Sequence, residues 1–196
     1  MQESAGNFPE LSRVRSWPAG NTANICIGQG AMDVTPMQMA VLTSALANGG
    51  TVLKPRVLDR LDSQDPASVQ PSTPFPRRQI VGALGVSEHN LKIVREGMLA
   101  ETEDVSDRAT GRQARVEGFR ICGKTGTAEQ EEHGIKRNTT WFISFAPYES
   151  PRYAVVVMVE NGISGGATCA PVAADVYRKI KELEAAGPRP SLAQTR

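Results

Sequence analysis

Lys124-Thr125-Gly126-Thr127 is the stretch of this chain whose residue types could do chemistry. In an extended strand alternate side chains face opposite sides, which sets Thr125 and Thr127 on one face and Lys124 on the other. Hydroxyls can donate to a carboxylate, and an ammonium adds charge attraction. Gly126 carries no side chain, so a ligand's backbone can lie close against the strand there. The Thr127 N–H can aim at a developing oxyanion. The chemistry implied is recognition of a carboxylate, with an N–H available to a developing oxyanion. The sequence places no base beside either hydroxyl to activate it.

Other groups offer less. Glu129, Glu131, Glu132 and His133 read as an acidic, solvated loop after the Lys-Thr-Gly segment, where converging carboxylates are not secured. Arg108, Arg112, Arg115 and Arg120 form a basic cluster that suits a solvated face or contact with an anionic polymer. Gly28-Gln29-Gly30 lacks the third glycine of a dinucleotide fingerprint. Trp17 and Trp141 read as packing residues. Cys26, Cys122 and Cys169 form no CxxC pair and read as small buried hydrophobes, while two histidines give no metal-ligand spacing.

Composition bounds the class. A net charge of +1 argues against binding nucleic acid through bulk positive charge. With 40% hydrophobic and 22% charged residues the chain has the balance of a globular domain, and 5% aromatics predicts a mostly aliphatic core. No apolar run approaches the roughly 18 residues of a membrane span. The first residues show no signal-peptide pattern.

Elements must position the Lys-Thr-Gly segment. The first 20 residues look irregular. Thr35, Pro36 and Gln38 predict a capping box opening a helix that carries Met39, Leu42 and Leu46 and ends at Asn48-Gly49-Gly50. Thr51–Leu53 reads as a short strand, and residues 62–78, rich in proline and serine, as a surface loop. Ser87 opens a second helix with Leu91, Val94 and Met98 on one face, slightly weakened by Gly97. The charged residues 101–117 read as a mobile connection. Residues 119–127, 140–146 and 153–160 then show period-two patterning, which predicts one antiparallel sheet. A helix from Pro171 carrying Val172, Val176, Ile180 and Leu183 packs on one of its faces. Helices first, then strands, then a helix reads as α+β. Residues 187–196 are expected to be a disordered tail.

The Lys-Thr-Gly segment also has sequence company. Asn21-Thr22-Ala23-Asn24, Ile27-Gly28-Gln29-Gly30, Val34-Thr35-Pro36-Met37-Gln38-Met39-Ala40 and Ala47-Asn48-Gly49-Gly50 precede it. Trp141-Phe142-Ile143-Ser144-Phe145-Ala146-Pro147 and Val159-Glu160-Asn161-Gly162 follow. Taken in order across residues 17–178, these blocks resemble the transpeptidase domain of class B penicillin-binding proteins, most closely the elongation-type enzymes of wall synthesis. The resemblance implies a partial β-lactamase/transpeptidase-like fold, with a three-stranded antiparallel sheet and helices packed on it. It implies that residues 1–186 are the C-terminal half of such a domain. The activity implied is peptidoglycan D,D-transpeptidation: a serine is acylated by a D-Ala-D-Ala donor, and the peptide is passed to an amine. The implied site residues are Lys124 and Thr127 for catalysis and Thr125, Gly126 and Thr127 for substrate. The implied partners are the peptidoglycan stem peptide or a β-lactam, and the preceding half of the domain; no cofactor is implied. The family is anchored in the inner membrane with this domain outside the cytoplasm. The departure is that no Ser-x-x-Lys and no Ser-x-Asn occurs in the 196 residues. A fragment of the enzyme, a non-catalytic truncated product, and a wall- or protein-binding module all remain open on the sequence.

Overall fold

The computed structural model describes residues 4–10, 16–58, 60–61, 73–74, 78–132 and 135–187. Its centre is a three-stranded antiparallel sheet in the order β5-β6-β7, built from β5 (Cys122–Glu132), β6 (Ile135–Ala146) and β7 (Tyr153–Glu160). The register runs from Cys122↔Phe145 to Glu132↔Ile135 on one side of β6 and from Thr139↔Glu160 to Ala146↔Tyr153 on the other. Alternation along β6 sends Phe142 and Phe145 to opposite faces, and both are fully buried. Phe145 and Cys122 meet Ala47, Met98 and Leu99, from helices α2 (Pro36–Ala47) and α3 (Glu88–Glu103). Phe142 meets Cys169, Ala170 and Ala173 at the start of helix α4 (Ala170–Ala185), with Val155, Val157 and Val159 of β7 beside it. Tyr177 of α4 is fully buried; its hydroxyl donates to Ser144 Oγ at 3.0 Å, and Ser144 Oγ donates to the Val155 carbonyl at 3.0 Å. Burial pushes the Tyr177 hydroxyl up from its ordinary pKa. The architecture is α+β, with helices on both faces of one sheet.

The few aromatic residues concentrate in this core: Tyr177, Phe142 and Phe145 are its largest fully buried side chains. The rest of the core is mostly aliphatic, as composition predicts, with alanine the commonest buried residue. Aromatic count says nothing about placement, and each ring fills more of the space between helix and sheet than an aliphatic side chain.

The capping box forms as expected. Gln38 N donates to Thr35 Oγ1 at 3.2 Å and Thr35 N to Gln38 Oε1 at 2.9 Å. The buried positions of α2 are Thr43, Ala45 and Ala47, with Leu42 exposed, and in α3 Val94 is exposed beside buried Leu91 and Met98. The stripes expected on Leu42 and Val94 are therefore rotated: small residues let α2 lie close to the sheet. Four further elements were not expected. Helix α1 (Ala19–Cys26) begins after Pro18 and buries nothing, with Trp17 Nε1 donating to Thr22 Oγ1 at 2.8 Å. Strand β4 (Ile80–Ala83) pairs antiparallel with β1 (Thr51–Leu53). Strands β2 (Arg60–Leu61) and β3 (Thr73–Pro74) pair antiparallel, so the loop expected over 62–78 contains a strand at 73–74; its residues 62–72 and 75–77 lie outside the described residues.

Two connections are also corrected. Residues 101–117 are not a mobile link: α3 runs to Glu103, a 3-10 turn forms at Arg112–Ala114, and Thr102, Ala109 and Ala114 are buried. The sheet strand starts at Cys122 rather than 119; Phe119 and Ile121 are buried ahead of it, and Phe119 bridges Val116. Glu129–Glu132 extends β5 instead of forming a loop, because the backbone ladder with β6 continues through these residues. The expectation for His133 and for the tail 188–196 lies outside the described residues.

Candidate active-site strand

Lys124, Thr125, Gly126 and Thr127 lie on β5, at one edge of the three-stranded sheet. The register pairs Thr125 with Phe142 and Thr127 with Thr140, so both hydroxyl residues share the face that α4 covers. Lys124 and Gly126 pair with Ile143 and Trp141 and share the face of α2 and α3. The backbone of Thr125 and Thr127 turns away from β6 toward the free edge. The Thr127 carbonyl accepts from Gln29 Nε2 at 3.1 Å, and the Thr125 carbonyl accepts from Lys124 Nζ at 2.9 Å. In an extended residue the N–H points to the same side as the C=O, so the Thr127 N–H is presented at this edge.

The expectation that Lys124 lies across the strand from the hydroxyls is corrected. Its side chain leaves from the opposite face, but the long stem curls over the edge. Nζ comes within 3.4 Å of Thr125 Oγ1 and 3.4 Å of Glu101 Oε1. A carboxylate also stands beside the hydroxyls. Thr125 Oγ1 donates to Glu101 Oε1 at 2.9 Å, Thr110 Oγ1 donates to the same oxygen at 2.5 Å, and the two hydroxyl oxygens are 2.6 Å apart. Burial pushes the Glu101 carboxyl up. Hydrogen bonds from Thr110 and Thr125 and the Lys124 charge outweigh it, and the carboxyl sits below the ordinary carboxylate value. A carboxylate held that way is a weak proton acceptor, so it does not make Thr125 a nucleophile.

Three features missed in the sequence shape this edge. Gly28 and Gly30 hold φ of +74° and +92°, conformations that favour glycine, and between them Gln29 is delivered to the Thr127 carbonyl. Gly165 opens the turn Gly165–Cys169 before α4 and donates its N–H to Thr127 Oγ1 at 3.4 Å. A Cβ at Gly165 would stand 2.8 Å from Gly126 N and O, so the turn presses directly on the ladder behind the strand. Glu101 is the third. Its signal was its spacing from buried Met98, which sets it beside the buried face of α3 at the helix end nearest β5.

The arginine cluster has local partners. Arg115 Nε donates to the Thr102 carbonyl at 2.6 Å, and its Nη2 to the carbonyls of Glu103 and Asp104 at the end of α3. Arg112 bonds the Val105 carbonyl and lies 3.6 Å from Asp107. Arg120 pairs with Glu103 at 2.8 Å and Glu149 at 2.6 Å, and its guanidinium holds both carboxyls below the ordinary range. Arg115 satisfies helix-end carbonyls that would otherwise lack donors. Cys122 and Cys169 are buried as expected, with burial pushing the Cys122 thiol up to about 12, whereas Cys26 is exposed, because α1 buries none of its residues. Trp141 is half-buried on β6, and Trp17 is half-buried ahead of α1. Among the described residues no helix is long and apolar enough to cross a membrane.

Comparison with known proteins agrees with this geometry. The family model described as the penicillin-binding protein transpeptidase domain matches residues 2–178. Peptidoglycan D,D-transpeptidase MrdA of Acinetobacter baumannii is 33% identical over 187 residues, covering 84% of this chain and 26% of the relative. Stage V sporulation protein D of Bacillus subtilis is 34% identical, covering 90% of this chain and 26% of the relative. The chain thus spans about a quarter of the length of these relatives. Among solved structures, Pseudomonas aeruginosa penicillin-binding protein 2 in complex with WCK 5153 superposes with a TM-score of 0.71 at 32% identity, covering 98% of this chain and 42% of that one. Penicillin-binding protein 2B of Streptococcus pneumoniae R6 gives a TM-score of 0.76 at 24% identity, covering 92% of this chain and 29% of that one, which speaks for the fold. The chain belongs to the penicillin-binding protein transpeptidase domain family.

Proposed function

We propose that residues 1–186 are the C-terminal half of a peptidoglycan D,D-transpeptidase domain, and that β5 is the strand along which the donor peptide or a β-lactam lies. One observation carries this reading: Lys124, Thr125, Gly126 and Thr127 sit at an open sheet edge with the Thr127 N–H presented there. In this role Lys124 supplies positive charge to the terminal carboxylate of a D-Ala-D-Ala stem or of penicillin. Thr125 and Thr127 offer hydroxyls to it. Gly126 lets the ligand backbone approach, and the Thr127 N–H stabilises the oxyanion of the tetrahedral intermediate. The acylated serine and its base come from residues outside these 196, in a compartment where the wall polymer is found. A structure of penicillin-binding protein A from Mycobacterium tuberculosis, 28% identical with a TM-score of 0.62, is an imipenem acyl-enzyme complex, which supports a β-lactam as the ligand class.

A second reading, a non-catalytic module that binds wall peptide or protein, is favoured by the absence of Ser-x-x-Lys and Ser-x-Asn from the chain. Fluorescent-penicillin labelling separates the two. The 196-residue chain alone should take no label. A single polypeptide that adds a segment carrying both motifs ahead of residue 1 should be labelled, and Lys124→Ala in that polypeptide should abolish the label. Failure to label the extended polypeptide, or full labelling of its Lys124→Ala variant, overturns the catalytic reading.

A further inference from the structure

We infer that the Glu101 carboxylate occupies the seat of an incoming carboxylate on the Lys124–Thr125 edge, and that a ligand must displace it to bind. This rests on the reading of β5 as a carboxylate-binding edge. The donors expected to greet a ligand carboxylate are a threonine hydroxyl and an ammonium, and here both already face Glu101 Oε1: Thr125 Oγ1 at 2.9 Å and Lys124 Nζ at 3.4 Å. Thr110 Oγ1 joins at 2.5 Å. The proton count tightens the argument. The oxygens of Thr110, Thr125 and Glu101 make three mutual contacts, of 2.5, 2.6 and 2.9 Å, and share two hydroxyl protons. With Glu101 ionised, Thr110 has one proton to give and Thr125 has one. Thr125 has none left for a second carboxylate while it donates to Glu101 or Thr110. Lys124 is committed as well, since its Nζ donates to the Thr125 carbonyl at 2.9 Å and leans on the same Glu101 oxygen. Two carboxylates on one hydroxyl would also repel each other.

Glu101 is placed to leave. It stands in the last turn of α3, and its side chain is 15% exposed, so rotation about its own χ angles takes the carboxylate to solvent without unfolding the helix. Arg115 holds the carbonyls that end the helix independently of it. Gly111 N donates to the Glu101 backbone carbonyl at 3.1 Å, which anchors the backbone rather than the carboxylate. Glu101 therefore sets how strongly, and for which ligand charge, the edge binds. A neutral ligand gains nothing from its departure, whereas an anionic one requires it.

The test uses the 196-residue chain and the backbone amide signals of Thr125 and Thr127 in NMR titrations. The probes are N-acetyl-D-alanyl-D-alanine and its C-terminal amide. Glu101→Ala should tighten the carboxylate probe by about tenfold, the equivalent of one competing interaction removed. Glu101→Gln keeps an acceptor oxygen and loses the charge, so it should tighten less than Glu101→Ala. Neither variant should change binding of the amide probe, and adding Lys124→Ala to Glu101→Ala should cancel the gain. Equal or weaker carboxylate binding in both Glu101 variants would mean that Glu101 orients Thr125 rather than competing for it, and overturns the inference alone. Absence of carboxylate binding in the wild type and in both variants overturns the carboxylate-edge reading and this inference with it. The carboxyl carbon of Glu101 followed against pH gives a readout free of ligand: it should titrate below an ordinary glutamate and return toward it in Thr125→Val. An ordinary titration in the wild type shows that the seat is empty in solution.

Discussion

The same chemical change, glycine to alanine, should have opposite signs at two positions. At Gly165 an added Cβ stands 2.8 Å from both Gly126 N and O, and closer still to the Trp141 carbonyl oxygen. These atoms belong to the ladder between β5 and β6, so none of them can yield without breaking a paired backbone bond. An ordinary carbon–oxygen contact needs more than 3 Å, so the turn before α4 must lift away. That movement takes Gly165 N off Thr127 Oγ1 and loosens Cys169, which is fully buried with Sγ 3.3 Å from Thr140 Oγ1. Overpacking of a fixed site costs about 1–3 kcal/mol, and the backbone character of the obstacle sets Gly165→Ala toward the upper end. At Gly97, inside α3, the added Cβ meets open space. There alanine should stabilise by about 0.5–1 kcal/mol, since glycine in a helix carries a larger entropy loss on folding. Urea unfolding followed by circular dichroism measures both. The amide signals of Thr125 and Thr127 should move in Gly165→Ala and stay in place in Gly97→Ala. A Gly165→Ala protein as stable as the wild type would refute the close seating of this turn on the Lys-Thr-Gly strand.

Three further outcomes are expected. Ser144→Ala removes the acceptor of the buried Tyr177 hydroxyl and the donor to the Val155 carbonyl; it should cost about 1–3 kcal/mol, Tyr177→Phe should cost about 1, and the double variant should cost less than their sum in urea denaturation. Glu101, Glu103 and Glu149 have folded pKa values below the ordinary 4.5, so they contribute stability that is present above that value and is lost as pH falls through the lowered ones. The urea midpoint should therefore drop on acidification below about pH 4.5, and Arg120→Ala should flatten part of that drop. Of the three thiols, exposed Cys26 should react promptly with a disulfide reagent, while Cys122 and Cys169 should react only as the protein unfolds. Prompt reaction of all three would place the sheet face around Cys122 in solvent.

What the sequence discloses about this fold depends on how far each determinant reaches. The Thr35–Gln38 capping box, the Ser87 cap and the strands at 140–146 and 153–160 are specified within a few residues of themselves, and all stand where patterning sets them. Helix α1 and strand β4 have no such local signature. α1 buries no residue and β4 is exposed along its length, so neither shows apolar periodicity. The charged segment after Glu101 misleads for a related reason. Its arginines read as a solvated surface, but Arg115 spends its donors on the carbonyls that end α3, a use of charge that composition cannot distinguish from exposure.

The site divides along the same line. Lys124, Thr125, Gly126 and Thr127 are contiguous, so motif and strand edge arrive together. Glu101, Gln29 and Gly165 reach that edge from 23, 98 and 38 residues away from their partners Lys124, Thr127 and Thr127. Only the packing of α3 and the two turns brings them there. Their consequence is nonetheless chemical rather than architectural. A bare Lys-Thr-Gly strand would offer a free ammonium and two free hydroxyls. In this chain Gln29 takes the Thr127 carbonyl, Gly165 holds the Thr127 hydroxyl, and Glu101 takes the Thr125 hydroxyl and shares the ammonium. Of these contacts, the one with Glu101 stands in direct competition with a ligand carboxylate. On the proposed reading, the affinity of the edge is a difference between two carboxylates on one set of donors, and no inspection of the motif alone could supply its sign.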